Sequence, residues 1–181
     1  RVDRRQRQMC IRDRKNMGGD ITVVPPSTSA KEIEALKPDG IFLSNGPGDP
    51  KVLTSAVNEV KEMMKLEIPI FGICLGHQIM SLAYDLKIEK MPFGHHGANH
   101  PVHDLKNNTV FITSQNHNFA VAEVEDRADI SITHKSLFDG SIQGIEHCEK
   151  PFYSIQCHPE ASPGPKEFEV LFERFFEDMN A

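Results

Sequence analysis

The sequence predicts an α/β fold: a doubly wound, mostly parallel sheet with a mixed or antiparallel edge. The first half of the chain alternates short apolar runs with amphipathic helical segments, which is typical of a parallel sheet with helices on both faces. The second half carries short extended segments instead, which favours an antiparallel or mixed edge. The length of 181 residues suits one domain.

The first half is predicted to supply three strands and three helices. The strands are short apolar runs bounded by turn residues, at residues 20–24, 40–44 and 68–73. The helices are expected at residues 29–36, 54–66 and 75–84. Ser29 and Glu32 have the spacing of a capping box at the start of the first helix, which strengthens that prediction.

The second half is predicted to be mainly extended before a final helix. Short strands are expected at residues 110–113, 119–123, 130–133 and 152–156. Near the end of the chain, apolar residues recur at helical spacing: Phe168, Leu171, Phe172, Phe175 and Phe176. This stripe predicts a helix that packs on the core rather than a cofactor site.

Charge is unevenly distributed along the chain. The net charge is −6, yet residues 1–15 carry seven basic side chains against two acidic ones. The rest of the chain is strongly acidic, so nucleic acid is not an expected partner. The basic leader, residues 1–15, is interpreted as lying outside the fold, which leaves residues 16–181 as the domain. No apolar run approaches about 18 residues, so no membrane span is expected.

The glycines around Cys74 suggest a nucleophile. Residues 72–76 read Gly-Ile-Cys-Leu-Gly at a predicted strand-to-helix turn, where a strained nucleophile elbow needs small neighbours. The helix N-terminus there would stabilise a thiolate. A buried core cysteine between two glycines is the alternative that this motif alone leaves open.

His158 and Glu160 are the candidate base and its orienting acceptor. They directly follow the predicted strand 152–156, and active sites of open α/β sheets gather at the carboxyl ends of strands. Pro159 favours an extended His158, so that both side chains project to the same side. Taken alone, the pair is also compatible with a surface histidine beside an unrelated glutamate.

Together these motifs carry a family resemblance. Residues 72–78 (GICLGHQ) and 158–160 (HPE) resemble the class I, triad-type glutamine amidotransferases, whose sheet is flavodoxin-like. The segments FGHHGANHPV, TSQNHNFAV, SLFDG and PEASPGP are similar to the glutaminase domain of carbamoyl phosphate synthetase small subunits. The resemblance covers roughly residues 20–179 and implies that the first strand of the family fold is missing here.

The resemblance implies hydrolysis of L-glutamine to glutamate and ammonia. Cys74 would form a glutamyl thioester, with His158 as acid and base and Glu160 orienting it. The implied glutamine-binding and oxyanion positions are Gly46, Gly48, Leu75, Gln78, Asn116, Asn118 and Phe119. The implied partner is the synthetase large subunit or a fused synthetase domain, which would use the ammonia with ATP and Mg²⁺ in the pyrimidine and arginine pathways. No cofactor is expected in this chain, whose glycine-rich loop lacks a P-loop lysine.

Two departures from the family pattern stand inside the motifs. Cys157 occupies the position before the histidine where glycine is usual, and Asn118 replaces a common glycine. Four histidines (His95, His96, His100 and His103) have metal-like spacing, but their segment matches a family segment without metal, and no metal site is expected. Because no secretory signal is apparent, Cys10, Cys74, Cys148 and Cys157 are expected to be free thiols in the cytoplasm.

Three other functions remain alternatives at this point. A non-catalytic amidotransferase-like module would bind and regulate the large subunit, although the complete triad favours an enzyme. A different cysteine hydrolase, such as a peptidase, is disfavoured by the glutamine-pocket residues. An amidotransferase that feeds anthranilate or GMP synthesis is disfavoured by the PEASPGP and GHHGANH segments.

Overall fold

The computed structural model describes residues 18–124, 127–160 and 170–181. In chain order the elements are α1 (Ala30–Ala35), β1 (Ile41–Leu43), α2 (Thr54–Met63), β2 (Ile70–Ile73), α3 (Leu75–Ala83), β3 (Ile88–Asp104), β4 (Thr109–Val121), β5 (Ile130–Ser136), β6 (Ile142–His147), β7 (Phe152–Ile155) and α4 (Val170–Met179), with 3₁₀ turns at Pro50–Val52 and Met64–Leu66. The expectations for residues 1–15 and for Phe168 lie outside the described residues.

Across the described residues, seven strands form one mixed sheet in the order β1-β2-β7-β6-β4-β3-β5. Only β1, β2 and β7 run parallel, and every other pairing is antiparallel. The α/β class is therefore confirmed, but the expectation of a mostly parallel sheet holds only for this three-strand part. The antiparallel region is the larger part of the sheet and not merely its edge.

Two apolar clusters cover opposite faces of the parallel strands. Side chains of β2 alternate between them, because Ile70 joins the cluster beneath α1, α2 and α3 whereas Phe71 joins the one beneath α4. Phe172 of α4 lies against Phe71, with ring centroids 5.5 Å apart. Helices therefore cover both faces of this part. Among the helices of the described residues, none is both long and apolar enough to cross a membrane.

Two predictions of strands are corrected by the structure. Residues 20–24 form no strand, and Val23 is 68% exposed. Within the described residues, β1 pairs with β2 alone, and no strand lies beside the β-branched run at 20–24. The strand expected at residues 130–133 is confirmed as part of β5, whereas those expected at 110–113 and 119–123 merge into β4, which forms a long hairpin with β3 through eleven paired positions. Backbone pairing with β4 makes a strand of residues 88–104 despite their lack of apolar alternation.

The C-terminal ends of β1, β2 and β7 meet at one crevice. Ile73 pairs with Ile155, and β1 runs parallel beside β2, so three loops leave the sheet on the same side. These loops carry Gly46, Cys74 and His158. His77 of α3 attaches this helix to β7, with its Nδ1 2.8 Å from Ser154 Oγ. This crevice is where ligands bind in open α/β sheets.

We expect Gly76→Ala to destabilise the fold by about 1–3 kcal/mol, the usual cost of overpacking a core. A Cβ on Gly76 would lie 2.8 Å from Leu43 Cβ and would also collide with the Leu43 carbonyl, so the backbone must shift. Urea unfolding measures the change in the free energy of unfolding. Ser55→Ala, at an exposed position of α2, is the control and should leave it nearly unchanged. Equal midpoints for both variants would contradict the expectation.

Candidate active site

Cys74 sits on a strained turn between β2 and α3. Its φ of 52° and ψ of −103° place a non-glycine residue in the positive-φ region, which is unfavourable for an L-residue. The turn is held on both sides, because Cys74 N–H donates to Ile155 O at 2.9 Å and Gln78 N–H donates to Cys74 O at 3.1 Å. Strain that the surroundings maintain at a sharp corner between strand and helix is the geometry of a nucleophile elbow.

Small residues allow the elements around Cys74 to approach closely. A Cβ on Gly72 would lie 2.8 Å from the carbonyl carbon of Gly76, and a Cβ on Gly46 would lie 2.8 Å from Leu75 Cδ2. The loop after β1 therefore packs directly against the residue that follows Cys74. Leu75 is the first residue of α3, so its N–H has no intrahelical acceptor. Gly48 lies two residues beyond Gly46 on this loop and is exposed.

His158 and Glu160 form a buried pair beside this turn. His158 Nδ1 lies 2.9 Å from Glu160 Oε1, and the residues are only 5% and 4% exposed. Because an ionised carboxylate only accepts, Nδ1 carries the proton and donates it. His158 N–H donates to Ser114 O of β4 at 2.9 Å, which fixes the loop. The ring is thereby held with Nδ1 facing Glu160 and Nε2 facing away from it.

The protonation of His158 is governed by its two neighbours. Burial lowers the pKa of His158, but the neighbouring Cys74 and Glu160 side chains outweigh it and raise the pKa from 6.5 to about 10. Nε2 itself makes no hydrogen bond to a described residue, so the Cys74 sulfur acts on it through proximity and charge rather than ideal hydrogen-bond geometry. At neutral pH this environment favours an imidazolium, which stabilises a neighbouring thiolate.

Cys157 is a second thiol in the same apolar cluster as Cys74. It is 1% exposed, and burial together with the charges of Glu160 and Cys74 raises its pKa well above the usual value. A neutral buried thiol is a poor nucleophile. Of the three cysteines among the described residues, Cys148 is exposed, and all three are free thiols.

The proposed glutamine-binding residues divide into two groups. Gln78 is buried and donates from Nε2 to Phe119 O and to Gln156 Oε1, both at 3.0 Å, which brings α3, β4 and the end of β7 together. Asn116 and Asn118 instead project from the exposed side of β4. They do not point into the buried group around Cys74, although their backbone adjoins it.

His117 is a residue that sequence reasoning missed. It is 4% exposed, donates from Nδ1 to Phe119 O at 2.8 Å, and leaves Nε2 without a partner among the described residues. Burial lowers its pKa from 6.5 to about 4, with further lowering from His95 and His158. His117 therefore adds a neutral acceptor near the His158–Glu160 pair. Its position between Asn116 and Asn118 in the TSQNHNFAV motif is the sequence feature that could have identified it as a site residue.

The histidine-rich strand β3 packs against this residue. The ring of His95 lies 5.0 Å, centroid to centroid, from the rings of both His100 and His117, and its Nε2 is 3.0 Å from Asp139 Oδ2. Within the part of the chain that the structure describes, no group of three or more histidine, cysteine, aspartate or glutamate side chains is arranged to hold a metal ion.

Comparison with known proteins assigns the family. The model of the family described as glutamine amidotransferase class-I matches residues 4–178. The chain belongs to this family. A structure from Thermoplasma acidophilum, described as a GMP synthase subunit, matches with TM-score 0.79 and 22% identity over 92% of this chain and 84% of that chain. At this identity the likeness shows the fold alone, and it agrees with a class I amidotransferase domain.

Much closer relatives are small chains of carbamoyl phosphate synthase. The chain is 57% identical over 159 residues to the small chain from Buchnera aphidicola. It is 53% identical over 160 residues to the small chain from Escherichia coli. Each alignment covers 88% of this chain but only 40% and 42% of the relative. The chain thus spans less than half the length of the curated relatives it matches.

Proposed function

We propose that this chain is the glutamine-hydrolysing component of a carbamoyl phosphate synthase. The observation that carries the proposal is the strained Cys74 turn beside the buried His158–Glu160 pair, at the carboxyl ends of parallel strands. Similarity to carbamoyl phosphate synthase small chains supports this function over other amidotransferase functions. The presence of nucleophile, base and acceptor together supports a catalytic domain rather than a degenerate binding module.

In the first half of the reaction, the Cys74 thiolate attacks the side-chain amide carbon of L-glutamine. The resulting oxyanion is stabilised by preorganised backbone donors, for which the N–H of Leu75 and the loop carrying Gly46 and Gly48 are the candidates. The His158 imidazolium donates a proton to the leaving nitrogen. The carbon–nitrogen bond then breaks, ammonia leaves and a glutamyl thioester remains on Cys74.

In the second half, water attacks the thioester carbon. Neutral His158 accepts a proton from this water, while Glu160 keeps the ring oriented and stabilises the imidazolium that forms. The carbon–sulfur bond breaks, which releases glutamate and regenerates the ion pair of thiolate and imidazolium. The same histidine therefore serves as acid and then as base, and no cofactor in this chain takes part.

The substrate and the partner follow from the same proposal. Gln78 and the β4 segment that carries Asn116, Asn118 and Phe119 bind glutamine. The released ammonia passes to a large synthetase subunit, which supplies ATP and Mg²⁺ chemistry to make carbamoyl phosphate for pyrimidine and arginine synthesis. The naming of the relatives as small chains supports a partner of this kind.

The proposal is tested by labelling with an electrophilic glutamine analogue. We expect an adduct on Cys74 that free glutamine suppresses, because Cys74 lies on the strained turn next to His158, whereas the pKa of the buried Cys157 thiol is raised. Peptide mass spectrometry locates the adduct, and labelling with iodoacetamide measures general thiol reactivity. Cys148, which is exposed, is the internal control and should react with iodoacetamide but show no protection by glutamine. Labelling of all cysteines without glutamine protection would refute the proposal.

A further inference from the structure

His96 on β3 contacts two asparagines of β4, Asn116 and Asn118, at once. These three side chains are called the clip. The Nδ1 of His96 lies 2.9 Å from Asn116 Oδ1, and its Nε2 lies 3.2 Å from Asn118 Oδ1. Both ring nitrogens are thus engaged across the strand pair, where His96 is in register with Asn116. Both asparagines present a carboxamide oxygen to the ring, and a carboxamide oxygen accepts from a ring N–H.

The clip lies where β3 and β4 are held together least regularly. The register shifts between Lys90 and His95 and again between Gly97 and His100, so only three paired positions lie between the two irregularities. The strands also approach closely here, because a Cβ on Gly94 would lie 2.7 Å from His117 O. Side-chain hydrogen bonds from His96 therefore add fixed contacts to a short paired segment that is interrupted at both ends.

This segment connects directly to both sides of the active site. Ser114 O accepts from His158 N–H at 2.9 Å, on the side of the base. Phe119 O accepts from Gln78 Nε2 at 3.0 Å, on the side of the helix that begins after Cys74. Any displacement of β4 between these two residues would move the backbone to which the proposed function assigns glutamine binding.

We propose that His96 is a positioning residue for glutamine binding. It acts by hydrogen bonding to Asn116 and Asn118, so that the β4 backbone is preorganised. The inference rests on the proposed function and adds a residue that touches neither the substrate nor the triad. Because the contact is made before glutamine arrives, loss of His96 should weaken binding while the chemistry at Cys74 stays intact.

The test is the kinetics of Cys74 labelling by the electrophilic glutamine analogue, which separates the binding constant KI from the chemical rate constant kinact. For His96→Ala we expect KI to rise about 3- to 10-fold, the range for losing one or two modest hydrogen bonds, with kinact changed less than about 2-fold. His96→Gln should restore part of the affinity, since its amide can still reach one asparagine. Asn118→Gly should give a smaller rise than His96→Ala.

His103→Ala is the matched control, because His103 also lies on β3 and contacts an asparagine, with Nε2 3.0 Å from Asn108 Oδ1 at the far end of the hairpin. It should lower thermal stability about as much as His96→Ala but leave KI unchanged. An unchanged KI in His96→Ala, or an equal change of KI in His96→Ala and His103→Ala, would overturn the inference about His96 but not the proposed function. Absence of glutamine-protected labelling in the unsubstituted chain would overturn the proposed function as well.

Discussion

Replacing Cys74 with alanine is expected to reduce glutamine hydrolysis by about 10⁴-fold or more, because removing a covalent nucleophile leaves only binding and oxyanion stabilisation. Cys74→Ser is expected to be nearly as inactive, since a serine hydroxyl stays protonated at neutral pH where a thiol readily ionises. The measurement is the rate of glutamate release from glutamine. When the chain is assembled with a synthetase large subunit, synthesis from added ammonia should persist while synthesis from glutamine is lost.

The control for this experiment is Cys148→Ser, which removes an exposed thiol remote from the apolar cluster that contains Cys74. We expect its glutamate release to equal that of the unsubstituted chain. Residual hydrolysis within about 10-fold of normal in Cys74→Ala would show that another group is the nucleophile. Cys157 would not be a strong substitute, because it is buried and its pKa is raised well above the ordinary value.

Glu160→Gln is expected to reduce glutamine hydrolysis by about 10²- to 10⁴-fold, as in other triads that lose the orienting carboxylate. The carboxylate is 2.9 Å from His158 Nδ1, and the amide that replaces it keeps the shape but loses the charge that stabilises the imidazolium. The measurement is again glutamate release, compared with exposed Glu149→Gln as the control. Equal activities of the two variants would contradict a role for Glu160 in orienting the base.

The same substitution should alter how stability depends on pH. The pKa of His158 is raised in the fold to about 10 from an ordinary value of 6.5, so protonated His158 stabilises the folded state. This contribution is fully present below about pH 6.5 and is lost as the pH rises towards 10. Urea unfolding between pH 6.5 and 10 should show a steeper decline for the unsubstituted chain than for Glu160→Gln. Parallel pH profiles would contradict this linkage.

Local signals predicted the elements around the nucleophile well. The capping box at the first helix is present, with Ser29 Oγ accepting from Glu32 N–H and Glu32 accepting from Ser29 N–H. The strand and helix that flank Cys74 lie where apolar runs and small residues predicted them, at Ile70–Ile73 and Leu75–Ala83. These features depend on neighbours within a few positions, so sequence patterns suffice to predict them.

Strands that depend on pairing between distant parts of the chain were predicted poorly from the same local patterns. The run at residues 20–24 has strand-forming residues but no neighbouring strand in the part of the chain that the structure describes. Residues 88–104 lack alternation and yet pair with β4 over much of their length. A strand is stabilised by hydrogen bonds to a partner distant in sequence, which no local pattern encodes. His117 was missed for a related reason, because its place beside His95 is set by the pairing of β3 with β4.

By itself, the sequence determined the family, the candidate nucleophile and its candidate base and acceptor, because these depend on short motifs with strict chemical and steric demands. Only the tertiary structure decided that the sheet is mixed, that the pKa of His158 is raised, and that His96 joins Asn116 to Asn118. Each of these depends on groups far apart in the chain, whose burial, charge and hydrogen bonding arise only when β3, β4 and β7 come together in one sheet.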